Sequence, residues 1–234
     1  MNSQISSIIR YIFKQLWEPG LFLILFIINR ISFYNVFQKV LMIGGFGNFF
    51  VNLTHLQIQA DRFLNIGIIA IALVIPIAAI RLFGYQCRPL MDILAVLLSI
   101  RLLIGLIVLN ILVFNAIALK DVLMTQVILF TPSVSLMWGW WYWRLDYEAR
   151  KHGREFMRIK DLNQDGRIDL FDYFYLAVSH TFSIKPPGGW GGSESTYVTP
   201  MSKLAKILFM CQGFMMLDLI GVLFSRALSL SLKQ

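Results

Sequence analysis

Long apolar runs separated by short polar stretches make up most of this chain. A helix needs about 20 apolar residues to cross a bilayer, and an apolar run of that length without strand-like alternation favours such a helix. Five stretches meet this requirement: residues 21–45, 64–82, 90–119, 122–143 and 201–230. The pattern therefore predicts about five transmembrane helices.

Two shorter stretches are apolar on one side only or too short to span. Residues 3–17 place apolar side chains at helical spacing and predict an amphipathic helix in the membrane interface, or else the first turns of the next helix. Glu18, Pro19 and Gly20 are expected to end it. About a dozen apolar residues after Asp172 predict a half-helix that enters the membrane without crossing it, or lies at its surface.

Composition supports the same class of protein. Hydrophobic residues make up 57% of the chain, and the mean hydropathy is +0.67. Soluble domains are less apolar than this, so we expect an all-α integral membrane protein. The net charge of +8 comes from basic residues at the ends of apolar runs, where they mark membrane topology. Nucleic-acid binding is therefore not expected.

Charge and aromatic residues also predict how the chain is oriented. The segment 144–160 is strongly basic, and if all four preceding runs cross, the positive-inside rule places it and the N-terminus in the cytoplasm. The orientation stays open if the first run, which polar residues interrupt, does not cross. Just before this segment lies a predicted aromatic belt at one membrane interface, formed by Trp138, Trp140, Trp141, Tyr142 and Trp143.

A polar island from Asp161 to Asp172, DLNQDGRIDLFD, stands out in this apolar chain. Its acidic and amide residues have the spacing of a twelve-residue calcium loop, with Gly166 at the position that needs a flexible backbone. The expected ligands are Asp161, Asn163, Asp165, the backbone carbonyl of Arg167, Asp169 and Asp172. Ile168 is expected to point away from the cation as an apolar anchor. The alternative is a polar linker held by Asx turns.

These twelve residues resemble the loop of the EF-hand family, and an aspartate at position twelve is similar to its dockerin-type variant. The resemblance implies Ca²⁺ as the bound cation. Asp172 is one methylene shorter than the usual glutamate, so we expect weaker calcium binding or a shift toward Mg²⁺. An EF-hand also has a helix before its loop, and residues 144–160 are predicted to continue as a helix into it.

The segment 172–228 resembles the two-helix pore domain of the potassium-channel superfamily, without its filter. The resemblance rests on a half-helix, a Gly/Pro-rich loop and Val198-Thr199-Pro200-Met201, which are predicted to open a full helix. It implies a cation pathway with Thr181, Phe182 and Ser183 as pore candidates. The ladder of carbonyls that selects potassium is not recognisable here, so potassium selectivity is not expected.

Asp218 lies in the middle of the last apolar run. An ionisable residue at such a depth is a functional hypothesis by default. It is predicted to line a pore cavity, to pair with Arg101 or Arg30, or to be a protonated, hydrogen-bonded acid. The pore candidates are therefore Asp218 and residues 181–183.

Four segments follow from these patterns: residues 1–19, 20–143, 144–172 and 173–234, respectively an interfacial helix, a four-helix membrane domain, a charged helix with its calcium loop, and a pore-like region. The first functional hypothesis is a calcium-binding, ion-channel-like protein that transports cations. The alternative is a non-conducting membrane scaffold or complex subunit with a structural calcium or magnesium site. No acid, base and nucleophile set can be assembled, so we do not expect an enzyme. The expected partners are the lipid bilayer and either further copies of the chain or a membrane complex.

Overall fold

The computed structural model describes residues 2–40, 52, 66–83, 87–114, 120–159, 168–182 and 198–231. These residues are mostly helical, as predicted. The chain divides into two compact units, residues 1–129 (unit 1) and 130–234 (unit 2). The division falls within a helix, before the predicted change of composition at residue 144.

Unit 1 contains three long helices and the start of a fourth. They are α1 (Asn2–Val40), α2 (Ile66–Leu82), α3 (Arg88–Phe114) and α4 (Lys120–Lys151), and α1 packs against α2 and α3. Apolar side chains that are completely or almost completely buried form the interior, among them Phe22, Leu25, Ile77, Leu98 and Leu109. The second and third predicted helices thus match α2 and α3 closely.

The predicted break at Glu18-Pro19-Gly20 is wrong, because α1 continues through Pro19. A proline inside a helix lacks the N–H that would bond four residues back, and its ring crowds that carbonyl. Here Glu18, next to it, is completely buried and is held by Arg81 of α2 and Arg88 of α3. These ion pairs fix the helix at the point where its own hydrogen bonds are weakest.

Unit 2 contains the rest of α4 and the C-terminal elements. These are β1 (Met157–Ile159), α5 (Leu170–Phe182), β2 (Val198–Pro200), α6 (Lys203–Met216), a π-helical segment (Leu217–Phe224) and α7 (Ser225–Ser231). The two strands are antiparallel, with Met157 opposite Pro200 and Ile159 opposite Val198. The interior packs the end of α4, both strands, α5 and α6 around Tyr142, Leu176 and Phe209.

The charged segment after Trp143 does not continue as a helix into the loop, as was predicted, because α4 ends at Lys151. Gly153 has a φ of 66°, which glycine adopts without the strain of a side chain. Its N–H donates to the Arg150 carbonyl at 3.0 Å, and the N–H of Arg154 donates to the Ala149 carbonyl at 2.9 Å. These two bonds form a Schellman motif, which terminates a helix by satisfying its last carbonyls.

The helix predicted to open at Val198 begins later, at Lys203. Val198–Pro200 pairs with β1 as a strand instead, and Pro200 lies at its end, where its missing N–H disturbs the ladder least. Ser202 caps α6, because its side chain accepts a hydrogen bond from the N–H of Ala205 at 3.0 Å. A short strand therefore precedes α6.

By length and apolar content, two stretches of the described chain are able to cross a membrane, Arg88–Asn110 and Lys203–Gly221. The described helices do not support the predicted five. Both stretches are apolar on two faces. On α3, Leu94 and Leu98 are buried while Ile93 and Leu97 are exposed; on α6 the exposed side includes Leu204, Ile207, Met210 and Phe214.

The predicted aromatic belt has a mixed outcome. Trp140 and Tyr142 are completely buried, so they belong to the interior of unit 2 and not to a membrane interface. Trp138, Trp141 and Trp143 are partly exposed. Residues 140 and 142 lie about 200° apart around the helix, so α4 is packed on more than one side at this point.

Gly139 of α4 allows α5 to approach closely. A Cβ added there would lie 2.5 Å from Cδ1 of Phe174 and 3.2 Å from its Cα, distances that force the helices apart. We expect Gly139→Ala to lower the free energy of unfolding of unit 2 by about 1–2 kcal/mol through overpacking. Gly213→Ala is the matched control, since its Cβ would meet His180 Nε2 at an ordinary 3.6 Å. Equal melting temperatures for the two variants would contradict this account.

Candidate functional site

The candidate site is the twelve-residue loop and the elements that hold its two ends. Asp161, Asn163, Asp165 and Arg167 lie outside the described residues, as does Ser183. Ile168, Asp169 and Asp172 are described, and Ile168 packs against the interior of unit 2. The structure therefore shows how the loop is anchored.

Asp169 and Asp172 form the start of α5. The N–H of Asp169 donates to Oδ2 of Asp172 at 2.7 Å, and the N–H of Asp172 donates to the Asp169 carbonyl at 3.1 Å. An acid in the first helical turn that bonds back to the N-cap N–H is half of a capping box, and it also faces the positive end of the helix dipole. This arrangement fixes the Asp172 carboxylate while the Asp169 side chain stays exposed.

Asp146 of α4 ties together the two elements on either side of the loop. Its carboxylate is completely buried. Oδ1 accepts the N–H of Met157 in β1 at 3.3 Å, and Oδ2 accepts the hydroxyl of Tyr173 in α5 at 2.5 Å. Nε of Arg150 also donates to Oδ2 at 2.7 Å. One carboxylate thus holds both the strand that precedes the loop and the helix that follows it.

Tyr173 remains a neutral donor in this arrangement. Burial raises its pKa well above the ordinary tyrosine value, and the hydrogen bond to the Asp146 carboxylate acts in the same direction. The phenol therefore keeps its proton throughout the physiological range.

A second buried group joins α4, α5 and α6. The Tyr142 hydroxyl donates to Gln212 Oε1 at 2.5 Å, and Gln212 Nε2 donates to the Ala177 carbonyl at 2.9 Å and to Thr181 Oγ1 at 3.3 Å. The hydroxyls of Thr181 and Ser135 lie 2.8 Å apart. Every polar atom of the Gln212 side chain has a partner, which a buried amide requires.

This group decides where one pore candidate lies. Thr181 is 2% exposed, and its hydroxyl is bonded within the polar group just described. Phe182 ends α5, and its side chain falls outside the described set. His180 contacts α6, with Nε2 3.1 Å from the Phe209 carbonyl. Thr181, the first of the pore candidates in the chain, thus lies in the packed interior of unit 2.

Asp218, the other pore candidate, is partly buried near the start of the π-helical segment. The arginines predicted as its partners, Arg30 and Arg101, belong to unit 1. π-helical turns are rare and occur often at functional sites. Asp218 thus remains the described residue with the strongest reason to be tested for ion conduction.

Reasoning from the sequence missed the most buried polar residues. Glu18 was assigned to a helix break, and Asp146 and Gln212 were not singled out. Two signals were present: Asp146 and Arg150 have the i, i+4 spacing of a helical ion pair, and Gln212 is the one amide in the apolar sequence of α6. The partners of Glu18 lie more than 60 residues away in the chain, beyond the reach of any local pattern.

The remaining comparisons add no assignment. Among the described residues, which leave out 160–167, no three histidine, cysteine or acidic side chains converge as a metal site. Searches for similar family models, curated proteins and solved structures found no match. The functional argument therefore rests on the chain's own residues.

Proposed function

We propose that this chain is a multi-pass membrane protein in which Ca²⁺ or Mg²⁺, bound by the loop Asp161–Asp172, fastens α5 to the rest of unit 2. In this proposal the protein is a non-conducting scaffold or subunit of a membrane complex. The observation that carries it is the Asp146 carboxylate, which bonds to β1 before the loop and to α5 after it.

Helices α3 and α6, which are apolar on both their buried and their exposed sides, support the membrane part of the proposal. A helix of a soluble protein turns its apolar side inward, whereas a helix that is apolar all round is buried or in lipid. The exposed side of α6 carries Leu204, Ile207, Met210 and Phe214, a stripe that water would not favour. We extend this to five crossings, with the loop on the cytoplasmic side. Maleimide labelling of cysteines introduced at Glu155 and Thr199 in intact cells tests the orientation, since labelling from outside contradicts it.

The anchoring of the loop supports the cation part. Carboxylate and carbonyl oxygens are the ligands that Ca²⁺ and Mg²⁺ prefer. A chain that must close around an ion loses less entropy if its ends are already held, and here β1, Ile168 and the first turn of α5 hold them. We therefore propose that Asp169, whose side chain is exposed, and Asp172, which is fixed by its capping bond, complete a ligand set with residues 161–167.

Removing the cation is expected to loosen unit 2. Ligand binding to the folded state stabilises it by RT ln(1 + [L]/Kd), which is about 2.7 kcal/mol at a hundredfold excess over Kd. We therefore expect a chelator to lower the melting temperature of the purified full chain, and calcium or magnesium to restore it. Circular dichroism with and without chelator measures the shift, and calorimetry measures the binding.

The variant Asp161→Asn with Asp165→Asn should abolish both the binding heat and the chelator effect. Glu155→Gln is the matched control, because it also removes a carboxylate between α4 and the loop but lies outside the ligand spacing. A chelator effect that survives in the loop variant would contradict the proposed site, as would the absence of heat at millimolar calcium and magnesium.

The buried group around Thr181 is the reason for preferring a scaffold to a channel. A residue that lines a conducting path needs polar atoms free for the ion or its water. The Thr181 hydroxyl is instead bonded to Gln212 and Ala177 within the interior. Opening a path there would expose Tyr142 and Gln212 together.

One observation favours conduction as a second candidate. Asp218 lies in a stretch able to cross a membrane and at the start of a π-helical segment, and acids at that depth attract cations. Planar-bilayer recordings of the purified protein distinguish the two functions. A cation current that Asp218→Asn abolishes would support a channel, and silent bilayers with intact calcium binding would support the scaffold.

A further inference from the structure

A cavity of about 360 Å³ lies where α4 ends and β1 begins. Its rim is basic and its floor is apolar, which distinguishes it from an ordinary solvated charged surface. The rim carries Arg150, Arg154 and Arg158 together with the carboxylate of Glu155, and the floor is formed by Met157, Ile159 and Ile168.

The backbone holds the rim in place. Gly153, at the positive φ described above, turns the chain so that Arg154 follows directly after the last turn of α4. The two hydrogen bonds of the Schellman motif then fix Arg150 and Arg154 on one tight turn. On the other side, Arg158 lies in the middle of β1, which is paired with β2. The guanidinium groups are thus attached to regular structure.

The rim arginines keep N–H groups that make no contact within the described chain, and the rim carries a net positive charge. Arg150 donates Nε to Asp146, and Arg158 donates Nη2 to Glu155 at 2.8 Å. Each contact engages one nitrogen of a guanidinium that carries five N–H groups. The exposed Arg154 side chain makes no ion pair or hydrogen bond with the part of the chain that the structure describes. Among the residues that the structure describes here, three guanidinium groups therefore meet two carboxylates, those of Asp146 and Glu155.

We propose that this cavity binds a phosphate group, supplied by the headgroup of an anionic lipid. Planar guanidinium groups donate two parallel hydrogen bonds to phosphate, and the apolar floor suits the glycerol carbons beside it. Arg150 lies seven residues beyond Trp143, a rise of roughly 10 Å along the helix, which is headgroup depth if the aromatic residues mark the interface. The site goes beyond the function proposed above; it rests on the membrane placement and not on the cation loop.

The test titrates the purified full chain in dodecyl maltoside with three probes, followed by calorimetry. The probes are dihexanoyl phosphatidic acid, inorganic phosphate and dihexanoyl phosphatidylcholine. We expect phosphatidic acid to bind at least tenfold more tightly than phosphatidylcholine. Arg154→Gln with Arg158→Gln should weaken phosphatidic acid binding at least tenfold, and Arg154→Gln alone at least threefold. Arg144→Gln is the control, since Arg144 pairs with Glu148 at the same helix end but outside the cavity.

Each outcome has one meaning. Binding of phosphatidic acid alone, lost in the double variant, supports a lipid source; binding of both phosphate probes, lost together, supports the same site with a soluble source. The proposal is overturned if phosphatidylcholine binds as tightly as phosphatidic acid, if neither phosphate probe gives heat, or if Arg144→Gln weakens binding as much as the double variant. Alkaline extraction of the native protein from membranes tests the membrane placement separately. The side chains of Arg154 and Arg158 are exposed, whereas that of Arg144 is 13% exposed. Unchanged melting curves confirm that the variants fold.

Discussion

Replacing Glu18 with alanine is expected to lower the free energy of unfolding of unit 1 by about 3–5 kcal/mol, the range for breaking a buried ion pair by removing one partner. The Glu18 side chain is completely buried, and that of Arg81 is 4% exposed. Arg88 Nη1 donates to both carboxylate oxygens, at 2.8 and 2.9 Å. Without the carboxylate, two positive charges face each other in a site that water reaches poorly.

The measurement is thermal or denaturant unfolding of the full chain in detergent, followed by circular dichroism. The free energy of unfolding of Glu18→Gln should lie between those of the native protein and Glu18→Ala, because the amide oxygen still accepts a hydrogen bond but carries no charge. Arg81→Met added to Glu18→Ala should recover part of the loss, since it removes the buried uncompensated charge. Alanine and native curves that coincide would show that Glu18 is not buried among these arginines.

The second large effect is expected at Asp146, whose replacement with alanine should lower the free energy of unfolding of unit 2 by about 2–4 kcal/mol. The Tyr173 hydroxyl and the Met157 N–H would lose their acceptor, and a buried donor left unsatisfied costs about 1–3 kcal/mol. Arg150 contributes little, because its side chain is 47% exposed and solvent screens it. Calcium binding should weaken along with the fold, since both ends of the loop are released.

Tyr173→Phe separates the two hydrogen bonds that Asp146 accepts, one from the Tyr173 hydroxyl and one from the Met157 N–H. It removes one hydroxyl from the same carboxylate and leaves the Met157 N–H bonded, so the loss should be about 1–2 kcal/mol. The matched control is Tyr175→Phe, two residues along the same helix, where the side chain is exposed and little change is expected. If Tyr173→Phe and Tyr175→Phe have the same melting temperature, the hydrogen bond from Tyr173 to Asp146 does not hold α5 to α4.

Apolar run length was enough to predict the middle of unit 1. The runs predicted at 64–82 and 90–119 correspond to α2 (Ile66–Leu82) and α3 (Arg88–Phe114) in the described residues, because a continuous run of apolar helix formers leaves few alternatives. The end of α4 at Lys151 was also readable, since a glycine two residues after a basic last turn is a helix stop signal. The predicted helix through residue 160 ignored it.

Other features depend on contacts that no local pattern contains. The continuation of α1 through Pro19 needs Arg81 and Arg88, which come from other helices. The pairing of β1 with β2 joins two three-residue strands about 40 residues apart, too short to show a strand period. For the candidate site, the ligand spacing stays a prediction from the sequence, whereas the Asp146 anchor is visible only in the fold.

The π-helical segment after α6 changes the direction in which the side chains of α7 point relative to those of α6. Each residue of an α-helix advances by about 100°, and a wider turn absorbs additional residues before the next one begins. Positions spaced three and four residues apart from Leu204 therefore no longer lie on the same face of the helix beyond Phe224. A helical wheel drawn from Lys203 therefore does not identify the inward side of α7, and substitutions there should not be chosen from such a wheel.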